Sequence, residues 1–291
     1  MQHTIGRFTV EAVSDGFFRL DGGAMFGIVP RPMWTKHFVP DEQNRIRLAL
    51  TCLLIRTGTA NVLVDTGMGD KYDPKWKAIY DLDHGRGDVV ANLRAAGLAP
   101  EDVTHVAFTH LHVDHAGGAT RRTPEGRVVP TFPNAVHVVQ RLAWEEALDG
   151  NERTAGSYRK EDFLPLKESG RLRIVDGDAE IVPGVRAERT GGHIPGHQVI
   201  LAESDGAGAL FFGDVMPTTA HLKPAWVMGF DLDPAGLVNV KKSLVDRAVR
   251  GGWICGWEHD PRVKLGRLMA ADGKVAVEPV ETYPEEDGLS A

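Results

Sequence analysis

Residues 109–118 read Thr109-His110-Leu111-His112-Val113-Asp114-His115-Ala116-Gly117-Gly118, with three histidines and one aspartate inside six positions. The chain holds 12 histidines in 291 residues, so His-x-His-x-Asp-His arises by chance on the order of one time in a thousand. Packing several imidazoles together without an ion carries electrostatic and desolvation costs. Imidazole nitrogen and carboxylate oxygen suit zinc and similar divalent ions. In an extended segment His110 and His112 point the same way and can grip one ion. Asp114 and His115 come where the chain turns and can face a second ion. Ala116-Gly117-Gly118 lets the backbone turn sharply beneath them.

The motif follows a short apolar run, residues 106–109, that reads as a buried strand. Further strands are expected at 8–13, 46–56, 61–65, 136–139, 172–175, 179–182, 199–203, 209–212 and 253–257. Residues 267–270 pair with 275–280 across Asp272-Gly273, and Ser204-Asp205-Gly206 is a turn. Asp88 caps a helix ending near Gly97, and residues 142–148 suit another. Asp233-Pro234 opens a helix with Leu237, Val240, Leu244 and Ala248 on its apolar face, ended by Gly251-Gly252. Hairpins mixed with helices give an α/β sandwich with helices outside the sheets. No internal linker or repeat is visible, so residues 1–282 read as one domain and 283–291 as a loose tail.

Other residues can complete two metal sites. Gly192-His193-Ile194-Pro195-Gly196-His197 offers His193 or His197. Asp214 ends an apolar strand, where a carboxylate can bridge two cations. His259 follows another buried strand, within Gly256-Trp257-Glu258-His259-Asp260. Taken in order, His110, His112, Asp114, His115, His193, Asp214 and His259 resemble the signature of the metallo-β-lactamase superfamily. The resemblance runs over roughly residues 45–265 and includes Val62-Leu63-Val64-Asp65-Thr66-Gly67, similar to that family's strand ending in Asp-Thr-Gly.

The resemblance implies an αβ/βα four-layer sandwich with a dimetal site at the sheet edge. It implies two divalent ions per chain, zinc by preference. His110, His112 and His193 would hold one, Asp114, His115 and His259 the other, and Asp214 would bridge them with a hydroxide. Asp65 would support the metal loop rather than bind, and His197 would stand behind the site or on its substrate side. Two ions carry +4 against −3 from Asp114, Asp214 and hydroxide, a balance suited to an oxyanion.

Thr190-Gly191-Gly192-His193-Ile194-Pro195-Gly196-His197-Gln198 and Glu258-His259-Asp260 resemble the N-acyl-homoserine lactonases, within a subgroup that also includes methyl parathion hydrolase. That implies opening of a lactone or related ester by the bridging hydroxide, with Asp114 passing a proton to the leaving alkoxide, and a quorum-quenching role. Those lactonases commonly carry a Tyr three residues after the bridging Asp; Pro217 stands there in this chain, leaving Thr218, Thr219 or His221 as substitutes. Aryl-ester or phosphotriester hydrolysis at the same site is the alternative. A mononuclear iron, sulfur-oxidising relative and a non-catalytic metal binder are weaker ones. The Gly- and Met-rich loops 21–30 and 224–230, with Met25, Phe26 and Trp226, cover an acyl chain, pack in the core or make a homodimer contact.

Composition trims the remaining classes. A formal net charge of −7 does not suggest a general nucleic-acid or anionic-membrane binder, which would want a basic face, although a total leaves a local basic groove open. No apolar run reaches the ~18 residues of a membrane helix, and the first residues lack a secretory pattern, so a cytoplasmic enzyme is expected. Export-linked β-lactam hydrolysis fits poorly with that. Cys52 and Cys255 lie in apolar runs and read as buried thiols. His37, His84, His105 and His137 lack motif context and read as solvated or core residues.

Overall fold

The computed structural model describes residues 1–271 and 273–284. The first half supplies strands β1 (Gln2–Ile5), β2 (Phe8–Asp21), β3 (Arg45–Arg56), β4 (Asn61–Val64) and β5 (His105–Ala107), a small hairpin of β6 (Thr120–Arg122) and β7 (Val128–Pro130), then β8 (Val136–Gln140) and β9 (Leu172–Val175). The second half supplies β10 (Ala179–Val182), β11 (Val185–Arg189), β12 (Gln198–Ser204), β13 (Ala207–Phe211), β14 (Ile254–Gly256), β15 (Val263–Ala271) and β16 (Lys274–Thr282). Two seven-stranded sheets result, ordered β1-β2-β3-β4-β5-β8-β9 and β10-β11-β12-β13-β14-β15-β16. The β4–β5, β5–β8, β8–β9 and β13–β14 pairs are parallel, and the others antiparallel.

Helices lie outside the sheets: α1 (Gly22–Phe26), α2 (Arg31–Trp34), α3 (Pro74–Tyr80), α4 (Val89–Ala95), α5 (Val113–Ala116), α6 (Arg141–Leu148), α7 (Lys160–Glu168) and α8 (Pro234–Gly251). The inner sheet faces meet through Val10, Ile55, Val62 and Val138 on one side and Ile200, Ala209, Phe211 and Ile254 on the other. Leu54, Leu63 and Val106 face outward onto Val89 and Leu93 of α4 and Phe163 of α7. Leu201, Leu210 and Cys255 face outward onto Leu237, Leu244 and Ala248 of α8. This helix–sheet–sheet–helix order is the four-layer sandwich expected from sequence. The chemistry of α8 is as read: Asp233 accepts from Gly236 N at 2.8 Å, Pro234 starts the helix, and Gly252 closes it at φ +57°.

Several local expectations change. The first long strand runs to Asp21, because a register shift between Ser14 and Phe17 lets β2 bend and keep pairing with β3. Asp65 is not strand but left-handed at φ +55°, a conformation Asp tolerates. Helix α7 carries an internal Pro165, which masked it in the sequence. Asp272 and residues 285–291 of the expected tail lie outside the described residues. Tyr283, assigned to that tail, is instead buried, with its hydroxyl 2.8 Å from Thr51 Oγ1 and its ring 4.8 Å from Phe17. Both cysteines are free and buried. No helix among the described residues is long and apolar enough to cross a membrane.

Candidate metal centre

The carboxyl ends of β4, β5, β13 and β14 open at one edge, and each delivers part of the site. Asp65 follows β4, His110 and His112 follow β5, Asp214 follows β13, and His259 follows β14; His193 comes from the loop before β12. Asp114 and His115 sit on the single turn of α5. The two glycines behind that turn serve close approach. A Cβ at Gly117 would lie 2.2 Å from Met68 O, and one at Gly118 would lie 2.1 Å from Thr66 O. Neither has a positive φ, so the sharp turn expected of them is not what requires glycine.

The seven motif residues converge in two sets. His110, His112, His193 and Asp214 offer ligand atoms within 4.8 Å of one another, as do Asp114, His115 and His259. In the first set His112 Nδ1 is 2.9 Å from His110 Nε2 and 3.1 Å from His193 Nε2. In the second His259 Nε2 is 3.3 Å from His115 Nε2 and 3.5 Å from Asp114 Oδ2. A tetrahedral zinc at about 2.0–2.1 Å from nitrogen separates its donors by roughly 3.3 Å. Asp214 faces both sets: Oδ2 lies 3.3 Å from His193 Nε2, while Oδ1 lies 3.2 Å from His259 Nε2 and 3.5 Å from His115 Nε2. Its Oδ1 is buried without a hydrogen-bond partner. A buried carboxylate oxygen aimed at imidazole nitrogens is what a cation would satisfy, and the donor set fits the implied metals.

Most imidazoles are held by their other nitrogen. His193 Nδ1 is 2.9 Å from Asp231 Oδ1, and His259 Nδ1 is 2.9 Å from Ala49 O. His115 Nδ1 lies 2.8 Å from Glu258 Oε2 and 3.1 Å from Asp65 Oδ2. Thr109 Oγ1 donates to Asp65 Oδ2 at 2.6 Å and stands 3.1 Å from His110 Nδ1. Asp65 thus meets both Thr109 and the Nδ1 of His115. Burial and neighbouring imidazoles hold His110 and His112 well below the usual histidine range. Burial pushes Asp214 up, but His115, His259 and His193 outweigh it and hold its carboxyl well below the ordinary range.

The remaining sequence candidates divide. His197 stands behind the metal residues, taking a hydrogen bond from Asp214 N at Nε2 (3.1 Å) and meeting Thr190 Oγ1 at Nδ1 (2.8 Å). Thr218 Oγ1 is 2.8 Å from His221 Nδ1, and His221 Nε2 is 2.9 Å from Met25 O. Thr219 donates twice to Asp260 Oδ2. These three groups are spent on holding the 217–222 turn, and none lines the pocket over the metal cluster. Phe26 and Trp226 pack against each other edge-on at 5.6 Å, in the core. Met25 does line that pocket, with Leu20, Met68, Val113, Met228 and Phe230. The pocket measures about 80 Å³, and a neighbouring cavity of about 260 Å³ shares His112, Ser157 and Phe230 with it. Sequence reasoning missed Asp231 and Thr109, and also Tyr80, which lines the pocket. Asp231 and Tyr80 had no distinguishing signal; Thr109 was marked only by its place before His110.

Fold and site together define an α/β sandwich built around a cluster of metal-ligating residues. The chain belongs to the metallo-beta-lactamase superfamily, whose family model matches residues 46–251. It is 32% identical over 175 residues to an N-acyl homoserine lactonase of Bacillus cereus, across 57% of this chain and 62% of that protein. The chain thus spans about three fifths of the length of the curated relatives it matches first. A probable metal-dependent hydrolase from Staphylococcus aureus superposes with a TM-score of 0.88 at 32% identity, covering 97% of this chain and 100% of that one. AidC, a dizinc quorum-quenching lactonase solved with a product, shares the fold at TM-score 0.77 and 18% identity, covering 98% of each chain.

Proposed function

We propose that this protein is a metal-dependent hydrolase that holds two zinc ions and opens a lactone, with N-acyl-homoserine lactones or a related ester as the substrate class. The placement of Asp214, one oxygen toward each ligand set, carries the reading. A complete second set in Asp114, His115 and His259 favours two ions over the mononuclear iron alternative. The lactonase relatives and the hydrolase-like neighbours support the reaction class.

Divalent ions held by His110, His112, His193, Asp114, His115, His259 and Asp214 would supply Lewis-acid polarisation of the carbonyl and an activated water at neutral pH. The chain's own residues do the rest. Asp231, Glu258, Asp65 and the Ala49 carbonyl fix the imidazole rings, so the donors need no rearrangement when substrate arrives. Asp114 lies in the pocket wall, which supports it as the group that passes a proton to the leaving alkoxide. Six apolar side chains exclude water around the reacting carbonyl. The 80 Å³ pocket has room for a small ring, and the adjoining cavity gives an acyl substituent somewhere to lie.

The test is initial hydrolysis rates of zinc-reconstituted protein by pH-stat, on short- and long-acyl homoserine lactones, simple γ- and δ-lactones, aryl esters and a phosphotriester. Lactone opening with kcat/KM above ~10⁴ M⁻¹s⁻¹ supports the reading. Good ester or phosphotriester turnover beside absent lactone turnover overturns the substrate and leaves the hydrolase. Metal content at one iron per chain overturns the two-zinc assignment.

A further inference from the structure

The pocket over the metal cluster offers a substrate very few polar contacts. Of its thirteen lining residues, His112, Asp114, His193, Asp214 and His259 belong to the metal sets. Six more are Leu, Val, Met or Phe and have no hydrogen-bond donor on the side chain. Only Tyr80 and Ser157 remain. The groups that sequence suggested for the place of the missing Tyr, Thr218, Thr219 and His221, are bonded elsewhere.

The four tyrosines differ in what their hydroxyls do. Tyr72 donates to Asp162 at 2.8 Å, Tyr283 meets Thr51 at 2.8 Å, and the Tyr158 hydroxyl is sealed in the protein interior without a partner. Tyr80 alone lines the pocket, and among the described residues its hydroxyl makes no hydrogen bond. Its ring is packed: Tyr72, just before α3, packs on Trp76, and Trp76 on Tyr80, with centroids 4.0 and 4.4 Å apart. Burial and the nearby charge of Asp114 push the phenol above its ordinary range, so it stays a protonated donor. Ser157 lines the larger neighbouring cavity as well, which Tyr80 does not.

We propose that Tyr80 is a substrate-contacting residue whose hydroxyl donates a hydrogen bond to the carbonyl oxygen of the bound lactone or ester as that oxygen gains negative charge. The inference rests on the hydrolase reading and adds one residue to it. Helix α3 delivers the hydroxyl that Pro217 cannot supply after β13. The phenol keeps its proton throughout; it stabilises the tetrahedral oxyanion and forms no covalent bond.

The experiment compares zinc-loaded wild type with Tyr80→Phe, which retains the ring stack and removes one oxygen. Zinc content and far-UV circular dichroism should be unchanged. On whichever substrate class the wild type hydrolyses, kcat should fall on the order of 10²-fold while KM moves little. Binding of the ring-opened product, measured by calorimetry, should weaken by up to about 10-fold. A Tyr80→Phe rate within about twofold of wild type, with zinc bound, overturns the assignment. If the wild type opens no lactone but cleaves an ester, the lactone reading falls, and the same comparison on the ester decides the role of Tyr80.

Discussion

Beneath the metal loop lies an ion pair with no access to solvent. Lys71 Nζ is 2.7 Å from Asp162 Oδ1, both side chains are 0% exposed, and Tyr72 donates to Asp162 Oδ2 at 2.8 Å. Lys71 also donates to the carbonyl of Gly117, in the turn that carries Asp114 and His115. Burial pushes the Asp162 carboxyl up, and Lys71 and Tyr72 counter it only in part. The pair therefore gains little net stability over an apolar substitute, but breaking it is costly. Asp162→Ala strands an ammonium beside one carbonyl, at about 3–5 kcal/mol, and orphans the Tyr72 hydroxyl for roughly 1 kcal/mol more. At roughly 2–4 °C per kcal/mol, the melting temperature should drop by about 10–20 °C. Urea unfolding of the zinc-loaded protein measures the loss. The double variant Lys71→Met/Asp162→Leu should recover to within ~2 kcal/mol of wild type. Zinc affinity of the double variant should fall, because without the Lys71 ammonium the Gly117 carbonyl is released. A cost below 1 kcal/mol, or a double variant no better than the single one, refutes the reasoning.

Three further outcomes follow from the same geometry. Asp214→Asn should abolish turnover while leaving the fold intact, because the residue faces both ligand sets; near wild-type rates with metal bound would contradict the proposed site. His137 is buried on β8 with neither ring nitrogen bonded, and burial pushes it down to about 4. The unfolded chain binds that proton first, so stability is complete above pH ~6.5 and falls by on the order of 3 kcal/mol as pH drops toward 4. His137→Leu should shrink that loss, read as urea midpoints at pH 7 and 4.5; parallel curves for both proteins would exclude the histidine as the cause. Gly67 sits at φ +66°, and a Cβ there would meet the Asp15 side chain at 2.3–2.5 Å. Gly67→Ala should cost about 2 kcal/mol and lower zinc occupancy, measurable by thermal melting and metal analysis.

What the sequence made legible was whatever is written in adjacent residues. His110 to His115 share one loop, Asp233-Pro234 is a local cap, and Asp205-Gly206 is a local turn with both residues at positive φ. The reading failed where a residue's role depends on a distant partner. Asp231 looks like any loop aspartate until the fold sets it 2.9 Å from His193. Lys241 interrupts the apolar face of α8, yet it is buried because its ammonium reaches the carbonyls of Lys223 and Trp226 at 3.0 and 2.7 Å. The two apolar loops were indivisible in sequence; folded, Met25, Met228 and Phe230 reach the pocket while Phe26 and Trp226 turn into the core.

The distant partners of the metal ligands also bear on how the site forms. Asp114 and Asp214 bring two negative charges to the cluster itself. Asp65, Glu258 and Asp231 add carboxyl groups that touch only the far sides of the imidazoles. Asp65 and Glu258 converge on the same nitrogen of His115, and burial together with Asp65 pushes Glu258 well above the ordinary carboxyl range against the pull of His115. Five buried imidazoles converge with the Asp114 and Asp214 carboxylates, and the ring nitrogens that face inward would be satisfied by cations. The strands that deliver these groups, β4, β5, β13 and β14, belong to both sheets. Ions held there would couple closure of the sandwich to the chemistry, and the melting temperature of zinc-loaded protein should fall on addition of a chelator.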